Sequence, residues 1–289
     1  MKAVDLHTHS NKSDGSFSPT ELVDYAIAKG LSAIALTDHD TVDGLAEAVG
    51  HAGALSAAGR PSIEVVPGIE FSTKYDRQDV HIVGLYISYD SPFFTTRLQE
   101  FVDSRTGRNI KMCRNLQAAG IDITYEKLQA GCPGAVITRA HYASYLFENG
   151  YVKSRQEAFA QYLGDHTKYF VPREKVTPAQ AVALILQAGG IPVLAHPPLY
   201  HMGRNRLDGL VSSLKNAGLM GIEVLYSTYS RQDERDMLQL ASRYDLLPSG
   251  GSDFHGTNKP NLELGTGYGR LFVPEEFLDR IKARKSLQN

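Results

Sequence analysis

A chain of 289 residues with 42% hydrophobic content can bury a large core, as one big domain or as one domain carrying an insertion, and this argues against disorder. Thirty Lys+Arg against 32 Asp+Glu leave a formal charge of −2, so there is no global basic field for long duplex nucleic acid and any anion must be held locally. No apolar run approaches the ~18 residues of a membrane helix, and Cys113 and Cys132 are not spaced as a metal pair. With no basic-then-apolar export signal at the start, the expectation is a reducing, cytoplasmic setting without membrane contact.

The first segment reads as a short strand, Ala3-Val4 running into Asp5-Leu6-His7-Thr8-His9-Ser10. Side chains alternate along a strand, so Asp5, His7 and His9 point one way, with the two histidines about 7 Å apart at Cβ and able to share an ion. Ser18-Pro19-Thr20-Glu21 then supplies a capping Ser, a Pro at the first helical position and a Glu three after the cap; Gly30 ends that helix. Ala33 to Thr37 reads as a buried strand delivering Asp38-His39-Asp40, and a helix follows from about Val42 to Ala58. Ile63 to Val66 is a third strand leading through Pro67-Gly68 to Glu70. Val80 to Ile87 is a fourth, with His81 near its start.

The β, α rhythm breaks from about Ser91 to Val176, where amphipathic helical patterns are punctuated at Gly107, Gly120, Gly131, Gly134 and Gly150. The expected organisation is therefore a barrel formed by 1–94 and 177–289, with 95–176 inserted as a helical subdomain. Alternation resumes with a capped helix from Thr177-Pro178 to Gln187 and a strand, Ile191 to Ala195, ending in His196-Pro197-Pro198. Helix 207–217, strand 221–225, helix 230–243 and strand 246–250 follow, the last delivering Ser252-Asp253-Phe254-His255-Gly256. A closing helix begins at Pro274, with acids at its start and Lys282, Arg284 and Lys285 near its end, to suit the helix dipole.

Polar candidates fall after strand ends: Asp14, Asp38 with His39, Glu70, His196, and Asp253 with His255. In a barrel of parallel strands those ends form one face, where loops bring distant residues together. Each histidine alone reads as an ordinary core or surface residue, but His7, His9, His39, His81, His196 and His255 at matching positions, with acids beside them, argue for a site. Mixed histidine and carboxylate donors suit Mn²⁺, Fe²⁺ or Zn²⁺ better than Mg²⁺ or Ca²⁺. Nine candidate ligands exceed one ion, so two or three metals with a bridging carboxylate are implied, a set suited to hydrolysing a phosphate ester.

Asp5-Leu6-His7-Thr8-His9-Ser10 with Ser13-Asp14-Gly15, Leu36-Thr37-Asp38-His39-Asp40-Thr41, Pro67-Gly68-Ile69-Glu70, His81-Ile82-Val83-Gly84, Ala195-His196-Pro197 and Gly251-Ser252-Asp253-Phe254-His255-Gly256 together resemble the motif set of the polymerase and histidinol phosphatase (PHP) superfamily. The Thr-Asp-His-Asp-Thr segment and the insertion before Ala-His-Pro resemble the bacterial branch that acts on 3′,5′-bisphosphonucleotides and short RNA. The resemblance implies an α/β fold, a distorted seven-stranded (β/α) TIM-like barrel, and three divalent ions, Mn²⁺ first with Fe²⁺ or Zn²⁺ as alternatives. His7, His9, Glu70 and Asp253 would hold one ion, Glu70, His81 and His196 a second, and Asp14, His39 and His255 a third. The attacking hydroxide would be metal-bound. Asp38 and Asp40 would orient a histidine or cap a helix.

Thr138-Arg139-Ala140-His141 and Lys168-Tyr169 sit in segments matching those through which the family grips a second phosphate, so Arg139, His141 and Lys168 are the candidate substrate contacts. Family members often carry Pro where Ala140 stands. Arg105 and Arg108 are weaker candidates for such a contact and read rather as an exposed helix face. The implied activity is removal of the 3′-phosphate from adenosine 3′,5′-bisphosphate or a similar nucleotide, with 5′-to-3′ trimming of short 5′-phosphorylated RNA compatible with the same site. Two alternatives stand beside it. A histidinol phosphatase would share the barrel and the metals but needs no second phosphate grip, and a non-catalytic PHP binding domain would be expected to have lost ligands.

Overall fold

The structure, a computed structural model, describes residues 2–76, 78–172 and 176–288. Strands β1 (Ala3–Thr8), β2 (Ala33–Leu36) and β3 (Glu64–Tyr75) run parallel, as do β5 (Ile191–Leu194), β6 (Gly221–Tyr226) and β7 (Leu247–Gly251). Between the two sets, β4 (Gln78–Leu85) is antiparallel to both β3 and β5, and a two-residue β8 (Val273–Pro274) lies antiparallel to β1. The order is β7-β6-β5-β4-β3-β2-β1-β8. The chain leaving β7 returns to β1, where the Asp253 N–H donates to His7 O and the His9 N–H to Phe254 O, each at 2.9 Å. The sheet thus nearly closes into a distorted TIM-like barrel of the expected α/β class.

Two features depart from the sequence reading. The third strand continues past Val66 through Pro67 to Tyr75, because Pro67 pairs with Leu36 at the last rung of the β2–β3 ladder, where no further N–H is needed. Gly68 follows where any Cβ would lie 2.8 Å from Gly84 O. Tyr75 then pairs directly with Gln78, a connection too short for anything but an antiparallel return. The reversal puts the beginning of β4, not its end, on the rim formed by the C-terminal ends of the parallel strands. His81 reaches that rim for this reason, and Ala195 N–H at the end of β5 donates to His81 O.

Helices α1 (Pro19–Ala28) and α2 (Leu45–Ala57) flank the early strands. The Ser18/Glu21 capping box forms as expected, whereas α2 begins at Leu45 behind Gly44 rather than at Val42. Between β4 and β5 come α3 (Pro92–Gln117), α4 (Tyr125–Gly131), α5 (Arg139–Glu148), α6 (Arg155–Ala158) and a π-helical turn at Phe159–Leu163. Gly107 does not interrupt α3: a mid-helix Gly costs about 1 kcal/mol without breaking the hydrogen-bond ladder. Met112, Leu116, Ile123, Leu128, Tyr142, Leu146 and Leu163 pack these helices around an apolar cluster of their own, separate from the clusters of the barrel. Helices α7 (Pro178–Gln187), α8 (Arg204–Asn216), α9 (Arg231–Arg243) and α10 (Glu275–Ser286) complete the chain. Among the described residues no helix is long and apolar enough to cross a membrane.

Candidate metal centre

The end of β1 places His7 and His9 in full burial with their Nε2 atoms 3.1 Å apart. Glu70 Oε2 lies 3.3 Å from both and 3.1 Å from His39 Nδ1, while its Oε1 lies 2.9 Å from His81 Nδ1 and 3.0 Å from His196 Nε2. Asp253 Oδ1 approaches His9 Nε2 at 3.2 Å and His7 Nε2 at 3.7 Å. Asp14 faces His255 at 3.3 Å, His9 at 3.9 Å and His39 at 4.0 Å. All nine sequence-derived candidates therefore meet on one rim. Their donor atoms form four overlapping groups able to hold an ion: His9, Asp14, His39 and His255; His7, Glu70 and His196; His7, His9 and Asp253; His39, Glu70 and His81.

The donor set fits divalent cations. Asp14 Oδ1 and His196 Nδ1 are buried without a hydrogen-bond partner, which costs about 1–3 kcal/mol for each such atom. A cation among them would use Asp14 Oδ1 as a ligand. Without one, burial resists charge on His7, yet Glu223, Glu70 and Asp253 outweigh it and push His7 well above its ordinary range. Burial likewise opposes the charge on His9, but contacts with Asp253 and Glu70 raise it to about 9. For His39 burial prevails and lowers it to about 3. Glu70 and Asp253 are held well below the carboxylate range against their burial, Glu70 mainly by His39, His7 and His81, and Asp253 mainly by Lys259 and His255. The rim is thus a pocket of anionic carboxylates that draws positive charge to His7 and His9, while burial keeps His39 and His255 neutral.

A surrounding layer aims these donor groups, and most of it escaped the sequence reading. Glu223 Oε1 lies 2.9 Å from His7 Nδ1. A carboxylate only accepts, so that nitrogen carries the proton and Nε2 is left to face the cluster. Its Oε2 accepts the His196 N–H at 2.7 Å. The available signal was a lone acid among Ile222 and Val224 in an otherwise apolar strand. Asp253 Oδ2 accepts from Tyr226 Oη at 2.6 Å and Lys259 Nζ at 2.5 Å, which turns Oδ1 toward the histidines. Asp253 and His196 both take left-handed backbone angles (φ 57° and 30°), conformations that non-glycine residues hold only where surrounding contacts fix them.

Asp5 shares its strand face with His7 but accepts from the Ser252 N–H (2.8 Å), the Ser252 hydroxyl (2.5 Å) and the Gly265 N–H (2.8 Å), so it ties β1 to the chain beyond β7. Asp38 accepts from the Ser10 N–H at 2.8 Å and from the Ser10 and Ser13 hydroxyls at 2.6 Å, fixing the loop that carries Asp14. Asp40 accepts the Ser72 N–H at 2.9 Å and pairs with Arg105. Neither Asp38 nor Asp40 caps a helix, because the α2 cap is Gly44.

A cavity opens beside the cluster, walled by His39 and His81 on the barrel side, by Lys74 of β3, and by Arg105, Arg108 and Arg139 of the insertion. Arg105 and Arg108 are 5% and 9% exposed, which corrects the exposed-face reading. Charge periodicity marks which face of α3 is polar; here that face covers a polar rim, where Arg105 meets Asp40 and donates to Ser72 Oγ at 3.2 Å. Arg139 is in the wall but pairs with Asp79 (2.7 Å) and Asp165 (2.6 Å), and Lys74 also pairs with Asp165 (2.7 Å). His141 Nδ1 accepts the Thr138 N–H at 2.9 Å in the α5 capping box and faces a second cleft, beside Ser13 and Tyr145. Lys168 is exposed, with its ammonium 5.0 Å from the Tyr169 ring centroid, and does not wall the cavity.

The PHP domain model matches residues 5–163 of this chain. The chain belongs to the PHP domain family. It is 36% identical to a 3′,5′-nucleoside bisphosphate phosphatase of Chromobacterium violaceum, over 92% of this chain and 91% of that protein. It is 38% identical to a 5′-3′ exoribonuclease of Haemophilus influenzae, over 88% and 90% of the two chains. Among solved structures, one of a Chromobacterium violaceum protein described as an amidohydrolase, with bound sulfate and no metal, superposes with a TM-score of 0.84 at 35% identity, covering 98% of this chain and 96% of that one.

Proposed function

We propose that this chain is a metal-dependent phosphoesterase that hydrolyses the 3′-phosphate of nucleoside 3′,5′-bisphosphates, converting adenosine 3′,5′-bisphosphate to AMP, and that trims short 5′-phosphorylated RNA from its 5′ end at the same site. The observation that carries this reading is a shared wall: Asp14, His39 and His81 belong both to the nine-residue cluster and to the cavity that presents Lys74, Arg105, Arg108 and Arg139. A substrate with two phosphates matches one anionic group to the cluster and the other to the cationic wall. Two relatives support the reading, one named as a 3′,5′-nucleoside bisphosphate phosphatase and the other as a 5′-3′ exoribonuclease.

Three ions, Mn²⁺ first among Mn²⁺, Fe²⁺ and Zn²⁺, are assigned to His7, His9, Glu70 and Asp253; to Glu70, His81 and His196; and to Asp14, His39 and His255. Bound there, they would polarise the phosphoryl oxygens and lower the pKa of a water toward neutrality. The chain's own groups do the rest. Glu223 holds the His7 ring, Tyr226 and Lys259 hold one Asp253 oxygen, and residues 95–176 form the cap that positions the nucleotide. Arg139 reaches a phosphate by exchanging an aspartate partner for it, one oxyanion for another. His141 shapes the start of α5 rather than touching substrate.

The test is phosphate release by Mn²⁺-reconstituted protein from adenosine 3′,5′-bisphosphate, beside 3′-AMP, 5′-AMP and histidinol phosphate. Rapid release from the bisphosphate, leaving 5′-AMP, is expected. A preference for histidinol phosphate would overturn the substrate assignment, and silence on all four would overturn the bisphosphatase reading.

A further inference from the structure

One wall of the cavity beside the cluster is neither cationic nor metal-ligating. Phe159 and Phe170 line it, together with Ala140 and Val171. Phe159 is 37% exposed, and it opens the π-helical turn of residues 159–163, whose last carbonyl-to-amide bond runs from Gly164 N–H back to Phe159 O at 2.9 Å. Single π turns occur often at functional sites. Here the turn begins with an aromatic ring held at the edge of water, in the cavity beside the donor cluster. Phe170 stands between the two chemistries: the Arg139 guanidinium and the Lys74 ammonium each lie 5.6 Å from its ring centroid. The cavity therefore runs from histidines and carboxylates, through cations, to aromatic faces. A nucleotide has the same sequence of parts, a scissile ester, a second phosphate and a base.

We infer that Phe159, with Phe170 beside it, is the platform on which the base of the nucleoside carrying the scissile 3′-phosphate stacks. This rests on the bisphosphatase reading above and adds the group that recognises the base. Stacking uses the π-face common to every base, so the platform tells a nucleotide from a plain sugar phosphate and discriminates weakly among bases. Phe170 couples the two halves, since the cations that meet the 5′-phosphate rest against its ring.

The chain has no Trp, so Phe159→Trp places a single indole reporter on the platform. Metal-loaded Phe159→Trp protein is titrated with 5′-AMP and with ribose 5-phosphate, which share the phosphate and sugar but differ in the base and lack a 3′-phosphate to cleave. Quenching of indole emission by AMP, and by GMP and CMP to similar extents, with little response to ribose 5-phosphate, is the expected result. In parallel, Phe159→Ala should raise KM for adenosine 3′,5′-bisphosphate about tenfold with kcat nearly kept, from the usual worth of one stacked base. Equal responses to AMP and ribose 5-phosphate, or an unchanged KM in Phe159→Ala, in protein that still cleaves the bisphosphate would overturn the platform and leave the bisphosphatase reading standing. Failure of unsubstituted protein to cleave the bisphosphate would instead defeat that reading, and the platform with it.

Discussion

The rim of the barrel and the insertion above it hold their charges in opposite ways. Behind the rim, the supporting carboxylates are buried and their oxygens are assigned: Asp5 by Ser252 and Gly265, Asp38 by Ser10 and Ser13, Glu223 by His7 and the His196 amide. In the cavity wall, Arg139 (23% exposed) shares itself between Asp79 and Asp165, and Asp165 is shared in turn with Lys74. These pairs reach water, which screens them, so partners exchange more readily than among fully buried groups. A buried polar group stripped of its partner costs about 1–3 kcal/mol, so the rim does not rearrange. On the function proposed above, chemistry would thus sit on the part that is fixed, and selection on the part that can trade one anion for another.

Breaking the rim should have the largest effect. Asp253→Ala or His196→Ala is expected to lower turnover by orders of magnitude while circular dichroism shows the fold kept, with melting lowered in Asp253→Ala because Tyr226 and Lys259 lose their partner; near-normal turnover by metal-replete Asp253→Ala protein would remove Asp253 from the cluster. Glu223→Gln keeps the shape but lets the amide donate as well as accept, so His7 loses its fixed tautomer. Metal affinity measured by chelator competition should fall about 10–100-fold, and an unchanged affinity would reduce Glu223 to a packing residue.

Touching the insertion should give smaller and more selective losses. Arg139→Ala is expected to raise KM about tenfold for substrates with two phosphates and leave kcat nearly intact, the mark of a remote anchor. Equal losses on 3′-AMP and on the bisphosphate would place Arg139 outside the second-phosphate grip. The smallest effect concerns protons. With no metal, His9 is raised from 6.5 to about 9, so its contribution to stability is complete below about pH 6.5 and fades as pH rises through about 9. Metal must displace that proton. Uptake of Mn²⁺ at pH 7 should therefore release protons, seen as a buffer-dependent heat, and affinity should climb toward pH 9. A buffer-independent heat would mean that the histidines are already neutral.

The rim was legible in the sequence because its ligands ride on regular elements with short connections. His7 and His9 sit two apart on a strand, His39, His196 and His255 follow strand ends, and short unbroken apolar runs such as Ala33–Leu36 and Ile191–Leu194 mark strands whose ends they follow. His81 was found at the start of its strand, yet its presence on the rim depends on the β4 reversal, which periodicity does not encode. Glu223 and Lys259 were missed for a different reason: each acts through another side chain, His7 or Asp253, and no spacing along the chain records such a contact. Arg105 and Arg108 show the limit for the insertion. Their helical spacing was correct, but whether a polar face meets water or another polar surface is decided by tertiary packing. His141 carried the expected sequence neighbourhood, while its capping bond to Thr138 is a local choice that competes with any outward role.

The most direct test of the division between rim and insertion is a metal titration. Protein stripped by chelator is given Mn²⁺ in measured ratio to chain, and phosphate release from adenosine 3′,5′-bisphosphate is followed at each step beside bound metal. Turnover should be absent in the stripped protein, return only as ions are bound, and level off near three per chain. Full turnover in the presence of chelator, or a plateau at a single ion, would contradict the cluster as the seat of the chemistry.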